Sequence, residues 1–160
     1  MYHIYTIGHS TRSLEEFVDL LRENDIHILA NVRTWPHSER YPQFNRDNLE
    51  EDLKKRRIRY EWLGKELGGF RKKGLGDKSP NKAWKNQSFR NYADHTMTDE
   101  FRKGITKRSK ALLPSCVQSS CHRQIISDYL KVQGRGVTHI IGKGKTEEHE
   151  LTSFGKWMET

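Results

Sequence analysis

Two cysteines, four prolines, no apolar run near the roughly 18 residues of a membrane span, and 21 acidic side chains against 29 Lys and Arg: these shortages set the first limits on the chain. Disulfide frameworks use several cysteines spread along a short secreted chain. Cys116 and Cys121 instead bracket one Ser-rich stretch, so reduced thiols are expected. Without a span, and with an opening MYHIYTIGHS that lacks the charged start and cleavage site of a signal peptide, a cytoplasmic location and no membrane partner are expected. The acidic deficit leaves a formal charge of +8 and a pI near 9.5, which favours anionic partners. Hydrophobic residues reach only 33%, with a mean hydropathy of -0.94. The aromatics reach 10% and the aliphatic residues cluster, which is the composition of a polar globular chain and not of a disordered one. A length of 160 residues suits a single domain, 1–160, burying roughly 68 to 70% of its unfolded surface.

Strands and helices are predicted to alternate. Tyr2 to Ile7 is β-prone and breaks at Gly8-His9-Ser10. Ser13-Leu14-Glu15-Glu16 has capping-box spacing and opens a helix with Leu14, Phe17, Val18, Leu20 and Leu21 on one face. Ile26 to Val32 reads as a buried strand ending at Arg33 to Ser38, where Pro36 forbids simple continuation. Asp47 to Glu50 repeats the capping spacing before a helix with Leu49 and Leu53 inward and a basic end, Lys54 to Arg57. Ile58 to Leu63 reads as a strand. From about 64 to 97 the periodicity fails, and a long irregular basic loop is predicted. Thr98 to about Lys110 then reads as a helix and Ala111 to Leu113 as a short strand cut off by Pro114. Ser119 or Ser120 would cap a helix that ends at Gly134, and Gly136 to Gly142 forms the last strand. The expectation is an α/β three-layer sandwich with a mainly parallel central sheet of about five strands.

In open parallel sheets, ligands collect at the carboxyl ends of the strands. Three unusual segments fall there: Gly8-His9-Ser10, Arg33 to Ser38, and Pro114 to Arg123. Cys121-His122-Arg123 stands at a predicted helix N-terminus, where free N–H groups and the dipole favour an anion and a thiolate. Cys121 reads either as a nucleophile or as a small packing residue of the turn. Cys116 followed by five residues approximates a phosphatase loop, but the next residue is His122 and Arg123 comes one place late. A rhodanese-like sulfur transfer at Cys121 has equal standing. His9, His122 and His139 are candidate acid–base groups, with hydrogen-bonded structural histidines as the alternative. The thiols lack paired CxxC spacing, so no metal and no cofactor is expected.

Arg33, beside Trp35, Pro36, His37 and Ser38, offers a planar donor fork suited to phosphate or carboxylate. The basic runs Lys54-Lys55-Arg56-Arg57-Arg59, Arg71-Lys72-Lys73 and Lys107-Arg108-Lys110, with Trp84, Phe89 and Tyr92 for stacking, read as a nucleic-acid face or as a solvated basic surface.

Taken together, YTIGHS, NVRTWPHS, YPQFN, LGG, SFRNYADH, CHR and THIIGKG resemble, in order over about residues 2 to 150, the family called domain of unknown function 488. The resemblance implies an α/β protein whose strand-end motifs line one cleft. It points to Gly8, His9, Ser10, Arg33, Pro36, Ser38, Phe44, Asn45, Gly68, Gly69, Phe89, Tyr92, Cys121, His122 and Arg123 as site residues, and it supplies no reaction. Two departures stand out: the family's Asp-Val-Arg is Asn31-Val32-Arg33 here, and its Cys-Ala-Glu before CHR is replaced by Pro114-Ser115-Cys116.

The resulting expectation is a protein that binds a phosphorylated or otherwise anionic ligand at the strand edge, a nucleotide-derived one being among the options. Ser10, Arg33, Ser38 and Arg123 would hold the anion, and Cys121 with His9 or His122 would supply any covalent or acid–base step. The alternative is a non-catalytic nucleic-acid-binding module. The expected partner is thus an anionic small molecule or a nucleic acid.

Overall fold

Helix α1 (Leu14–Glu23) begins where the capping box sets it: the Ser13 hydroxyl accepts the Glu16 N–H at 3.1 Å and donates to Glu16 Oε1 at 3.2 Å. Its Phe17, Val18, Leu20 and Leu21 are buried. The computed structural model describes residues 3–8, 12–33, 37, 39–69, 71–82, 84–109, 115–118 and 123–152, with only the backbone of 107–109 and 115–118. Before α1 comes β1 (His3–Ile7). After it come β2 (Ile28–Asn31), a 3-10 turn at Pro42–Phe44, α2 (Arg46–Lys55), β3 (Arg59–Trp62), α3 (Gly64–Leu67) and a 3-10 turn at Gly76–Lys78. Then follow α4 (Gln87–His95), α5 (Asp99–Ser109), β4 (Ser115–Gln118), α6 (Arg123–Val132), β5 (Gly136–Gly142) and β6 (Lys145–Glu148).

The protein is α/β, but the mainly parallel central sheet of about five strands does not stand. β1, β5 and β6 form a mixed three-stranded unit in which β6 runs antiparallel to β5, and β2 and β3 form a parallel pair. The four residues of β4 run between the two units, Ser115 standing opposite both Ile4 and Ile28, so the strand order is β3-β2-β4-β1-β5-β6. The hairpin strand β6 escaped the sequence pattern because Lys-Thr-Glu-Glu is exposed along its whole length and carries no alternation. Its turn is marked only by Gly144, which has a φ of 65°.

Apolar side chains gather in two cores on opposite faces. One joins α1, α2 and Phe44 to Ile7, Leu29, Ile58 and Ile140 of the sheet region. The other joins α3 to α6 to Ile4, Ala30, Leu63 and Val137.

Two further expectations change, and a third falls outside the described residues. The segment 64–97 contains α3, a 3-10 turn and α4, and is not irregular throughout. Helix α4 buries Asn91, Asp94 and His95 beside Tyr92 and Ala93, so polar side chains occupy its inner face and no apolar period shows. Asp94 accepts bonds from Leu75 N at 2.8 Å, Ser79 Oγ and Asn81 Nδ2 at 2.7 Å, which ties the glycine-bearing stretch down onto the helix. The capping spacing at Asp47 is misplaced by two residues, because α2 starts at Arg46 with Asn45 as N-cap. Ala111 to Leu113 lies outside the described residues, and the described strand of this region is β4.

Candidate anion-binding edge

The winding of the chain decides where a ligand site belongs. β1 and β2 lead to α1 and α2, which pack in one core, while β4 leads to α6, which packs in the other. β4 lies between β1 and β2, so connections leaving three neighbouring carboxyl ends diverge to opposite faces, the kind of switch point at which open α/β sheets bind ligands. Gly8 follows β1, Val32 and Arg33 follow β2, and Arg123 opens the helix after β4. His9, Ser10, Pro36, Ser38, Cys121 and His122 lie outside the described residues.

Arg33 is the best-defined member of this edge. Its backbone N–H and Nε donate to Asn31 Oδ1 at 3.1 and 3.2 Å, and Nη2 donates to the Phe44 carbonyl. Its own carbonyl accepts Trp62 Nε1 at 2.9 Å. All these acceptors are neutral. Among the described residues, no carboxylate pairs with the guanidinium. Burial lowers its pKa from the ordinary arginine value, opposed by the nearby Tyr60. Asn31 is fully buried, and its Nδ2 donates to the Tyr60 hydroxyl at 2.8 Å. Arg46, the first residue of α2, lies over the Trp62 ring at 4.6 Å and adds a second cation to this region.

The structure thus brings Arg33, Phe44 and Asn45 together, though through backbone more than side chain. The Phe44 ring is buried edge-on to Phe17, with centroids 5.1 Å apart, and only its carbonyl meets the arginine. Asn45 caps α2 with no side-chain bond to the helix. Gly8 is tied to the far strand: Arg12 donates to the Gly8 carbonyl and, at 2.6 Å, to that of Ile141, clamping the ends of β1 and β5. Gln43 Nε2 reaches the Arg12 carbonyl at 3.5 Å, linking the loops that follow β1 and β2.

Other candidates stand elsewhere. Gly68 ends α3, its carbonyl accepting Arg71 Nε at 3.1 Å, and Gly69 is the half-buried bend that follows. Tyr92 is a core residue whose hydroxyl donates to the Leu67 carbonyl at 2.8 Å and whose pKa is raised by burial. Phe89 packs on Trp84, and both lie partly buried against the same core. The basic runs are spread out: α2 belongs to one face and α5 to the other. Lys55, Arg56 and Arg59 are paired with Glu51, Glu15 and Glu61.

One constellation went unread in the sequence. Thr6 Oγ1 meets His139 Nδ1 at 2.5 Å, His139 Nε2 meets His149 Nδ1 at 2.9 Å, and His149 Nε2 meets Asp128 Oδ1 at 2.7 Å. Asp128 also accepts from the backbone N–H and hydroxyl of Thr152. Thr6 and Asp128 are wholly buried, His149 is 2% exposed and His139 6%. Burial lowers the pKa of His139 to about 4, helped by the positive charge of Arg123 and opposed by Glu148. A usable signal was present: Asp128 interrupts the apolar stripe Ile125, Ile126, Tyr129, Leu130. Among the described residues, no cluster of three His, Cys, Asp or Glu is arranged to hold a metal ion, and no helix is long and apolar enough to cross a membrane.

An α/β domain with a mixed sheet and, at the carboxyl edge of its strands, an arginine held by neutral oxygens is the class of protein described so far. The chain belongs to the family described as Domain of unknown function DUF488, whose sequence model matches residues 13–130. That match takes in Asn31, Arg33, Arg123 and Asp128, and stops short of β5 and His149. No curated protein and no solved structure matches the chain.

Proposed function

We propose that this protein binds an oxyanion, of the class carried by phosphorylated small molecules and nucleotides, at the switch point beside β4, with Arg33 as its receptor. The supporting observation is the state of that guanidinium: drawn out of water, fixed by neutral oxygens, and without a carboxylate among the described residues. Arg33 is half-buried and held by neutral oxygens, so its charge is only partly answered within the protein and is available to an oxyanion. The planar fork of arginine answers an oxyanion with two parallel bonds. In the same reading Arg123, at the start of α6, is a second receptor. Cys121 and His122, which directly precede it in the chain, supply a thiol and an imidazole for any covalent step.

Titration calorimetry with inorganic phosphate at low salt tests the binding. Wild type takes up phosphate, and Arg33→Met loses ten- to hundredfold in affinity, the worth of about 1.5–3 kcal/mol for a charge-assisted hydrogen bond. Equal binding by Arg33→Met, or none by wild type at millimolar phosphate, overturns the reading. For the thiol, an uncharged alkylating agent at pH 7 reacts faster with Cys121 than with a free thiol of pKa about 8.5, and an equal rate removes Cys121 from the chemistry.

A further inference from the structure

Leu75 and Met97 are the large apolar side chains that stand in solvent among the described residues, 48% and 47% exposed. They hang on one buried carboxylate. The Leu75 N–H donates to Asp94 Oδ2 at 2.8 Å, Asn81 Nδ2 donates to Asp94 Oδ1 at 2.7 Å, and the same Nδ2 lies 3.7 Å from Met97 Sδ.

The loop that carries Leu75 is braced from its inner side. Asn91 Nδ2 donates to the Arg71 carbonyl at 3.0 Å and Ser79 Oγ donates to Asp94. Gly74 lies so close to α4 that a Cβ there would stand 2.5 Å from Asp94 Oδ2. On the outer side, Gly76 has a φ of 56° and open space where a Cβ would be. Leu75 thus stands between two glycines, with no flanking side chain to shield it, on a loop already ordered for display.

The same stretch concentrates the charge of the chain. Residues 71–85 hold Arg71, Lys72, Lys73, Lys78, Lys82 and Lys85 against one carboxylate, Asp77, a net +5 of the chain's +8. Lys72, Lys73, Lys78 and Lys82 are exposed, and among the described residues none of them forms an ion pair. At the start of α5, Asp99 pairs with Arg102 at 3.0 Å and Glu100 acts on Arg71.

Free lysines around exposed aliphatic and thioether carbon discriminate among anionic partners. Nucleic acids are read by arginine forks and stacked aromatics. Here Arg71 and Arg90 are engaged by the carbonyls of Gly68, Lys65 and Trp84, and Trp84 and Phe89 are partly buried. Protein interfaces are depleted in lysine. An anionic bilayer surface answers both features: each lysine near it is worth about fivefold in partitioning, and the headgroup boundary takes up apolar side chains. We propose that loop 71–82, with the end of α4, docks this protein on membrane surfaces rich in anionic lipid. Leu75 and Met97 enter between the headgroups, and Lys72, Lys73, Lys78 and Lys82 meet their charge. The sequence, lacking a span, pointed away from a membrane partner, but a surface contact of this kind needs none.

Flotation of the full chain with vesicles of about 30% phosphatidylserine in phosphatidylcholine, at about 0.05 M salt, is the test. The protein is expected to float with these vesicles and not with pure phosphatidylcholine. Changing Lys72→Gln and Lys73→Gln together lowers partitioning about twenty-five-fold. Leu75→Ser lowers it about five- to tenfold, the worth of burying the exposed half of a leucine, and Met97→Ser gives a second reading at a separate position. Lys54→Gln with Lys55→Gln, on α2 against the opposite core, and Arg33→Met change it by no more than about twofold. Failure of the wild type to float, equal flotation with pure phosphatidylcholine, or undiminished flotation of both Leu75→Ser and Met97→Ser overturns the docking face. So does an equal loss in the α2 variant, or tighter retention by duplex DNA that Leu75→Ser leaves intact. None of these outcomes touches the anion site at Arg33, which phosphate titration tests separately.

Discussion

Replacing Asn31 by Asp changes one atom and adds one charge, which isolates the electrostatic state of Arg33. Asn31 Oδ1 already lies 3.1 Å from the Arg33 backbone nitrogen and 3.2 Å from Nε, so a carboxylate oxygen occupies the same place without repacking. The Tyr60 hydroxyl, now accepting from Nδ2, turns to donate. Exchanging a bond from the guanidinium to a neutral oxygen for an ion pair stabilises the fold by about 1 kcal/mol, or roughly 2–4 °C in Tm for a chain of this size. The same charge repels a bound anion. At about 7 Å and an effective dielectric near 20 the repulsion is about 2.4 kcal/mol for each unit of ligand charge, so roughly fifty-fold or more in affinity at low salt. Screening at 0.15 M, where the Debye length is about 8 Å, reduces this to about five- to tenfold. Sulfate titrations at two ionic strengths, with urea unfolding alongside, give both quantities. A variant that is no more stable than wild type and binds sulfate equally well refutes the view of Arg33 as an unanswered cation.

Three other outcomes follow from the same geometry. Because the pKa of His139 falls to about 4 in the fold, the unfolded chain binds its proton first as pH drops. Stability is therefore full above about pH 6.5 and declines towards pH 4 by roughly 2–3 kcal/mol, a slope that urea midpoints detect and that His139→Gln flattens. Gly64→Ala places a Cβ against the Arg33 carbonyl and the Trp62 indole; phosphate affinity and Tm are expected to fall together, and an unchanged Tm contradicts the close approach. Ser13→Ala removes the α1 cap at a cost of about 1 kcal/mol, and a urea midpoint that does not move shows the cap to be idle.

Legibility in the sequence tracked how far local chemistry decided the structure. The α1 cap was readable because Ser13 and Glu16 satisfy each other within one turn, and Arg33 was readable because it follows an apolar strand. α4 was not, since its inner face is polar and its reason for being buried is the distant loop that Asp94 holds. The line Asp128, His149, His139, Thr6 was legible only in its separate members, His139 and the polar break at Asp128: they sit at 6, 128, 139 and 149, and only the pairing of β1 with β5 and the packing of α6 bring them together. Asn31 was visible as a departure from the family's aspartate, but its consequence required Arg33 to be found with neutral partners.

The late arrival of β4 between β1 and β2 bears on how this chain is made. During synthesis the first hundred residues produce β1, β2 and β3, yet β1 and β2 pair only through a strand that has not been translated. Until Ser115–Gln118 emerges, both present open edges, which are templates for pairing with other chains. Closure therefore waits for the last third of the sequence, and a stalled or truncated nascent chain is left with its two central edges bare.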